Sequence, residues 1–305
     1  MLTHRLIPVL LALTMGSTAM ASRTVRLPDY LCGGNDSIFA DAYETGGVFS
    51  SDPSQGSGGG YPGSISRTFT FAPFGQQTYY LYVPARYQPG QAMPLMVVLE
   101  GYTGSHTASV QQAQVLRDDW IAAASAYGFI IAAPVNNTAD GSWIPADGTA
   151  QANDYDMIGA MIDDVAQAWN IERNRISVWG FSAGGSIAWD MLLNDGRFAQ
   201  PTPLSAATVA SMSIAAANSS FACSLDPTPC TTRFANLPRK VPVGIHIGTS
   251  DPNHAGAAND FQRLLSNGWQ PGRDLDYEEF TGGHTFTLAH LQEVAGFACG
   301  FALDP

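Results

Sequence analysis

Ile176-Ser177-Val178-Trp179-Gly180-Phe181-Ser182-Ala183-Gly184-Gly185-Ser186-Ile187-Ala188-Trp189-Asp190-Met191-Leu192 is the stretch on which the fold turns. Ile176–Trp179 is a short apolar run, the signature of a strand buried on both faces. Gly180 to Gly184 permit a sharp reversal, and the residues from Gly185 on read as a helix. Strand, tight turn and helix around Gly-x-Ser-x-Gly is the arrangement that lifts a serine hydroxyl off the carboxyl edge of a parallel sheet. A glycine-rich turn with an incidental serine is the plainer reading. The flanking strand and helix decide against it.

Outward from this point the same alternation recurs. Leu95–Leu99, Phe129–Ala133, Thr208–Ser213 and Val243–Ile247 are further apolar runs, and Tyr277–Phe280 is strand-like. Between them Ile158, Met161, Ile162, Val165 and Trp169 keep the i, i+3, i+4, i+7 rhythm of one helical face. Asp163 and Asp164 fall off that stripe and are expected on a solvated face. Arg67–Ala72 and Gln77–Val83 are aromatic and β-branched, and Pro73-Phe74-Gly75-Gln76 between them predicts an antiparallel hairpin. Alternating strands and helices imply an α/β three-layer sandwich with a mostly parallel sheet. Its catalytic domain is expected over residues 67–305.

Residues 22–66 form an N-terminal segment whose stretch 50–64 is rich in Gly and Ser and is expected to be flexible. Gly58 to Gly63 is formally G-x-G-x-x-G. No strand pattern precedes it, Pro62 interrupts it, and no helix pattern follows, so dinucleotide binding is rejected. Residues 1–21 read as a secretory signal. His4 and Arg5 precede the apolar run Leu6 to Met15, and Ala19-Met20-Ala21 offers a small-x-small cleavage site. An exported, extracellular or periplasmic, chain is therefore expected. Export permits disulfides. Cys223 and Cys230 flank a short loop and are the cheapest pair to close, which leaves Cys32 with Cys299.

The chain has 305 residues, 45% hydrophobic and 13% charged, a globular composition. Fourteen Lys+Arg against 26 Asp+Glu give a net charge of −12. Loss of Arg5 with the signal takes it to −13. Such a chain lacks the basic footprint of a nucleic-acid binder and is repelled by anionic membranes. No His/Cys cluster has zinc spacing, so no metal site is expected.

A serine nucleophile needs a base, and the base an orienting acid, in the chain order Ser, Asp/Glu, His. His284 lies in the Gly-rich loop Thr281-Gly282-Gly283-His284-Thr285 after a strand, where catalytic groups concentrate. His254, also in a loop, competes with it. His246 is expected to be a hydrogen-bonded core histidine and His290 to lie on the last helix. Asp251 leaves the Val243–Ile247 strand and is the expected acid, although an Asp-Pro also makes ordinary Asx turns. Backbone donors for a developing oxyanion are expected at Ala183 and at Tyr102, with Thr103 in reserve. Trp143 is a candidate wall for an acyl pocket.

The runs Tyr79–Pro84, Pro94–Leu99, Gly180–Gly185, Gly248–Asp251 and Gly282–Thr285 resemble the secreted esterases of carbohydrate esterase family 1 and the polyhydroxybutyrate depolymerase-like esterases, which include feruloyl and acetylxylan esterases. The resemblance spans roughly Arg67 to Ala295. It implies an α/β-hydrolase fold and a Ser182–Asp251–His284 triad that cleaves a carboxylic ester through an acyl-enzyme, with no cofactor. Where the family usually has His-Gly, this chain has Glu100-Gly101. The expected substrate is a feruloyl, acetyl or other short-chain ester, small or carbohydrate-linked. A polyester depolymerase is the alternative. A serine peptidase and a non-catalytic carbohydrate-binding relic stand behind it. The hydrolase pattern runs almost to Pro305, so no separate surface-binding domain is expected, and soluble esters are expected ahead of solid polymer.

Overall fold

The computed structural model describes residues 23–27, 51–60, 62–145, 152–193, 208–237 and 239–304. The expected secretory signal, residues 1–21, and Cys32 lie outside the described residues.

Eight strands form the main sheet in the order β2-β3-β5-β4-β6-β7-β8-β9. Strands β4 (Met93–Leu99), β5 (Ile130–Pro134), β6 (Ile171–Phe181), β7 (Ser211–Ala215), β8 (Val243–Gly248) and β9 (Leu275–Phe280) run parallel. The hairpin β2 (Gly63–Phe71) and β3 (Gly75–Val83) is antiparallel, and β3 pairs antiparallel with β5. The hairpin begins four residues before its expected start, because Gly63 to Ser66 extend the ladder opposite Val83 to Tyr80.

The apolar runs are continuous because helices cover both faces. Leu95, Val97 and Leu99 enter one core with Ile130, Ala132 and Val178. Met96 and Val98 enter the other with Ile131, Ala133 and Trp179. That split is the period-two alternation of a strand. Against the first face pack α3 (Asp154–Ala168) and α4 (Ala183–Leu193), together with Ala257 and Leu264 of α7 (His254–Ser266). Against the second pack α1 (His106–Asp119), α2 (Ile121–Tyr127) and α8 (Leu288–Cys299). The result is the expected three-layer α/β sandwich. No helix among the described residues is long and apolar enough to cross a membrane.

The predicted stripe on α3 is buried throughout. Asp164 departs from its expected solvated setting. Its carboxylate accepts from Arg67 Nε at 2.6 Å and Nη2 at 3.0 Å, and from the Tyr79 hydroxyl at 2.6 Å, and so ties α3 to the hairpin. Asp163 stays exposed.

The Gly/Ser-rich stretch is docked where flexibility is expected. Ser54, Ser57 and Gly59 donate their amides to the carbonyls of Ile171, Gln167 and Ala168. Small residues let the backbone lie along the end of α3. At the far end, β1 (Arg23–Arg26) pairs antiparallel with β10 (Phe301–Asp304). Two short helices, α5 (Ser220–Ser224) and α6 (Cys230–Ala235), are joined by the Cys223–Cys230 disulfide. Cys299 is also disulfide-bonded.

Candidate active site

β6 ends at Phe181 and α4 begins at Ala183, so Ser182 alone makes the turn. Its φ is 53°, a left-handed conformation that costs a non-glycine residue about 1–3 kcal/mol unless its surroundings hold it. Here they do. The Ser182 amide donates to Ala215 O at 2.9 Å, and its carbonyl accepts from Ser186 N at 2.9 Å. A Cβ on Gly184 would lie 2.4 Å from Leu99 O, so only glycine lets the first turn of α4 press against the end of β4.

The loops after β8 and β9 are zipped together. Thr249 N donates to Phe280 O and Ser250 N to Gly282 O. That pairing brings Asp251 and His284 side by side. The Asp251 side chain is fully buried. Its Oδ1 accepts from Asn253 N at 2.7 Å, the Asx-turn bond, and its Oδ2 accepts from His284 Nδ1 at 2.9 Å. The Asx-turn and orienting roles therefore coexist on separate oxygens. Held in that tautomer, His284 offers Nε2 to Ser182 Oγ at 2.7 Å. Its ring rests against Phe181, centroids 5.2 Å apart.

The competing histidines sit elsewhere. His254 opens α7 and pairs through Nε2 with Glu279 Oε1 at 3.0 Å. His290 lies on α8, in its capping box with Thr287. His246 is buried in β8 as expected, but among the described residues neither ring nitrogen has the expected hydrogen bond.

The loop from β4 to α1 passes directly over Ser182. A Cβ on Gly101 would lie 3.2 Å from the Ser182 Cβ. The Thr103 amide is already committed to Gly141 O at 3.2 Å, which takes the reserve donor out of play. Tyr102 is exposed on the cleft. Ala183 opens α4, where the first amides have no acceptor inside the helix and the dipole is positive.

Glu100 anchors this loop from below, a role absent from the sequence reading. Its carboxyl is wholly buried and accepts from Asn136 N at 3.3 Å and Nδ2 at 3.0 Å, while Oε2 has no partner among the described residues. Burial, reinforced by the nearby Asp154, pushes its pKa up to about 8, so the acid is neutral at pH 7. Asn136 also reaches Ser109 Oγ and Gly141 O.

Beside the serine lies a cleft of about 330 Å³, walled by Phe181, Phe286, Leu116 and Ala108 with Tyr102 and Gln112 at its lip. Trp143, expected on this wall, is buried instead and donates its indole N–H to Glu100 O at 2.9 Å. It braces the loop and leaves the cleft to the two phenylalanines. Phe181 stood in the sequence inside the Gly-x-Ser-x-Gly motif; nothing marked Phe286.

No family model and no curated protein matches the sequence. Solved structures do match. A ferulic acid esterase superposes with a TM-score of 0.60 at 13% identity, over 79% of this chain and 98% of its own. The fold is that of the α/β-hydrolases. An S-formylglutathione hydrolase from Agrobacterium tumefaciens gives 0.53 at 15% identity, over 83% and 99%. The feruloyl esterase module of Clostridium thermocellum, complexed with sinapinate, gives 0.52 at 12%, over 85% and 96%. At these identities the likeness speaks for the hydrolase fold alone.

Proposed function

We propose that this α/β-hydrolase is an exported serine carboxylic-ester hydrolase. The observation that carries the reading is the Ser182–His284–Asp251 relay, 2.7 and 2.9 Å long, on a strained elbow. Ser182 Oγ attacks the ester carbonyl while His284 Nε2 takes its proton. The Asp251 carboxylate steadies the imidazolium. The Ala183 and Tyr102 amides receive the developing oxyanion. Collapse expels the alcohol, protonated by His284, and leaves an acyl-Ser182. Water, deprotonated by His284, releases the acid. Protein groups and water supply every step, with no cofactor.

The cleft volume and its aromatic walls suit feruloyl, acetyl or other short acyl groups, on small or carbohydrate-linked alcohols. Two of the matched structures are themselves feruloyl or ferulic acid esterases, which supports the kinship with carbohydrate esterase family 1 and the polyhydroxybutyrate depolymerase-like esterases. The net charge of −12 disfavours nucleic acid or an anionic membrane as partner. The signal-like residues 1–21 and the Cys223–Cys230 disulfide favour the periplasm or the medium.

The test is labelling by a fluorophosphonate probe, followed by kcat/KM on p-nitrophenyl acetate, butyrate and octanoate and on methyl ferulate. Labelling lost in Ser182→Ala, with turnover of the small esters, supports the proposal. An unlabelled wild type would make the chain a binding relic. Clearing of a hydroxybutyrate polymer suspension with negligible small-ester activity would make it a depolymerase.

A further inference from the structure

Below the catalytic loops, on the face covered by α8, three elements converge on one buried histidine. His246 of β8 is 1% exposed, and neither ring nitrogen has a hydrogen-bond partner among the described residues. A buried imidazole normally satisfies at least one nitrogen. Its Nδ1 faces Glu278 Oε2 of β9 at 3.5 Å and Glu293 Oε2 of α8 at 4.0 Å. Its Nε2 faces Asp276 Oδ2 at 3.6 Å. These separations are too long for hydrogen bonds and too short for independent solvation.

We propose that His246, Glu278 and Glu293 form a binding site for a divalent transition-metal ion of the zinc class. One ligand atom from each lies within 4.8 Å of the other two. Tetrahedral zinc, with ligands about 2.0–2.1 Å away, sets neighbouring ligand atoms about 3.4 Å apart. Small side-chain shifts reach that spacing. Nδ1 is then the ligand nitrogen and Nε2–H points at Asp276, the carboxylate behind a metal-bound histidine that fixes its tautomer. His290 completes the surround: its Nδ1 accepts from Thr287 N, so its Nε2–H faces Glu278 Oε1 at 4.0 Å.

One nitrogen with a few carboxylate oxygens suits zinc better than calcium, which takes six to eight oxygens. The carboxylates are between a third and a half exposed, so the ion enters from solvent. The ligands lie 32 and 15 residues apart on three elements, which is why no zinc spacing shows in the sequence. A bound ion would cross-link β8, whose end leads to Asp251, to β9 and α8, which bracket the His284 loop.

The experiment strips the mature protein with chelator, reloads it with ZnCl₂, and measures stoichiometry by ICP-MS, affinity by calorimetry and Tm. One zinc per chain and a Tm rise of roughly 5–10 °C at saturation are expected. Glu293→Gln and Glu278→Gln change surface carboxylates, so both should fold, and each should weaken binding at least ten-fold. His284→Ala should bind as the wild type does. Absence of stoichiometric zinc, undiminished affinity in both Gln variants, loss of binding in His284→Ala, or an equal Tm rise with CaCl₂ would each overturn the site.

Discussion

Glu100→Gln should remove one large contribution to the pH dependence of stability. The carboxyl has a pKa of about 8 in the folded chain against an ordinary value of 4.5. Below pH 4.5 it is protonated in both states and contributes no pH dependence. Between pH 4.5 and 8 the unfolded chain has released a proton that the folded chain keeps. Unfolding stability therefore falls with rising pH, by about 1.4 kcal/mol per unit, until the folded carboxyl also ionises near pH 8. The accumulated loss is about 5 kcal/mol. Glutamine keeps the acceptor for Asn136 and cannot ionise. Its NH₂ takes the place of the protonated Oε2, which already lacks a partner among the described residues, so the pH-independent offset is small.

The variant should melt close to the wild type at pH 4.5 and above it at pH 8.5, the difference growing by roughly 10 °C. Asp154, pushed up to about 6 by burial, titrates in both proteins and largely cancels. The assay is thermal unfolding by circular dichroism from pH 4.5 to 9 at fixed ionic strength. A Tm difference that is constant across that range would refute the argument, because it would mean that Glu100 has the same protonation in both states.

His284→Ala should cost about as much activity as Ser182→Ala, on the order of 10⁴-fold or more in kcat, since the members act as a unit. His254→Ala should stay close to wild type; the reverse ranking would give the base to His254. Asp164→Ala should lose about 2–3 kcal/mol, because it strands the hydroxyl of the fully buried Tyr79, whereas Asp163→Ala should lie within about 0.5 kcal/mol of wild type in urea unfolding. Equal losses at both would remove the hairpin clamp. Replacing both Cys223 and Cys230 by Ser should cost about 2.5 kcal/mol, the closure entropy of a loop with ends seven residues apart, and an unchanged urea midpoint would count against it.

The sheet was legible because its strands are buried on both faces and so read as unbroken apolar runs. The elbow was legible because its glycines are demanded by close backbone approach. Loop chemistry was legible only in part. In the sequence His254 and His284 both read as loop residues, and only the Gly-rich run around His284 favoured it; the zipping of the loops after β8 and β9 puts His284 beside Asp251, while His254 opens α7. Glu100 and Asp164 were opaque for a related reason. A carboxylate in sequence carries no mark of burial, and each owes its role to residues brought near by the sheet, Asn136 in one case and Tyr79 in the other. The pairing of β1 with β10 joins two four-residue segments from opposite ends, too short for any period to show.

The least informative sequence near the site, Ala215-Ala216-Ala217, performs a positioning role of its own. β7 lies between the nucleophile strand β6 and the acid strand β8, and contributes no catalytic side chain. Its end nevertheless touches both. Ala215 O receives the amide of Ser182, and Ala216, turned to φ 55°, donates its own amide to His246 O. The Ala216 carbonyl accepts from Asn253 Nδ2, and the Asn253 amide donates to Asp251 Oδ1. A chain of main-chain and amide hydrogen bonds thus runs from nucleophile to acid through β7. Two strained residues, Ser182 and Ala216, sit on it, and each is held by bonds to its neighbours. Small side chains at 215–217 keep the crossing narrow: a Cβ on Gly185 would already come within 2.8 Å of Ala217 Cβ. The distance between Ser182 and Asp251 is therefore set by backbone, and His284 needs only to fill the gap that the backbone has measured out.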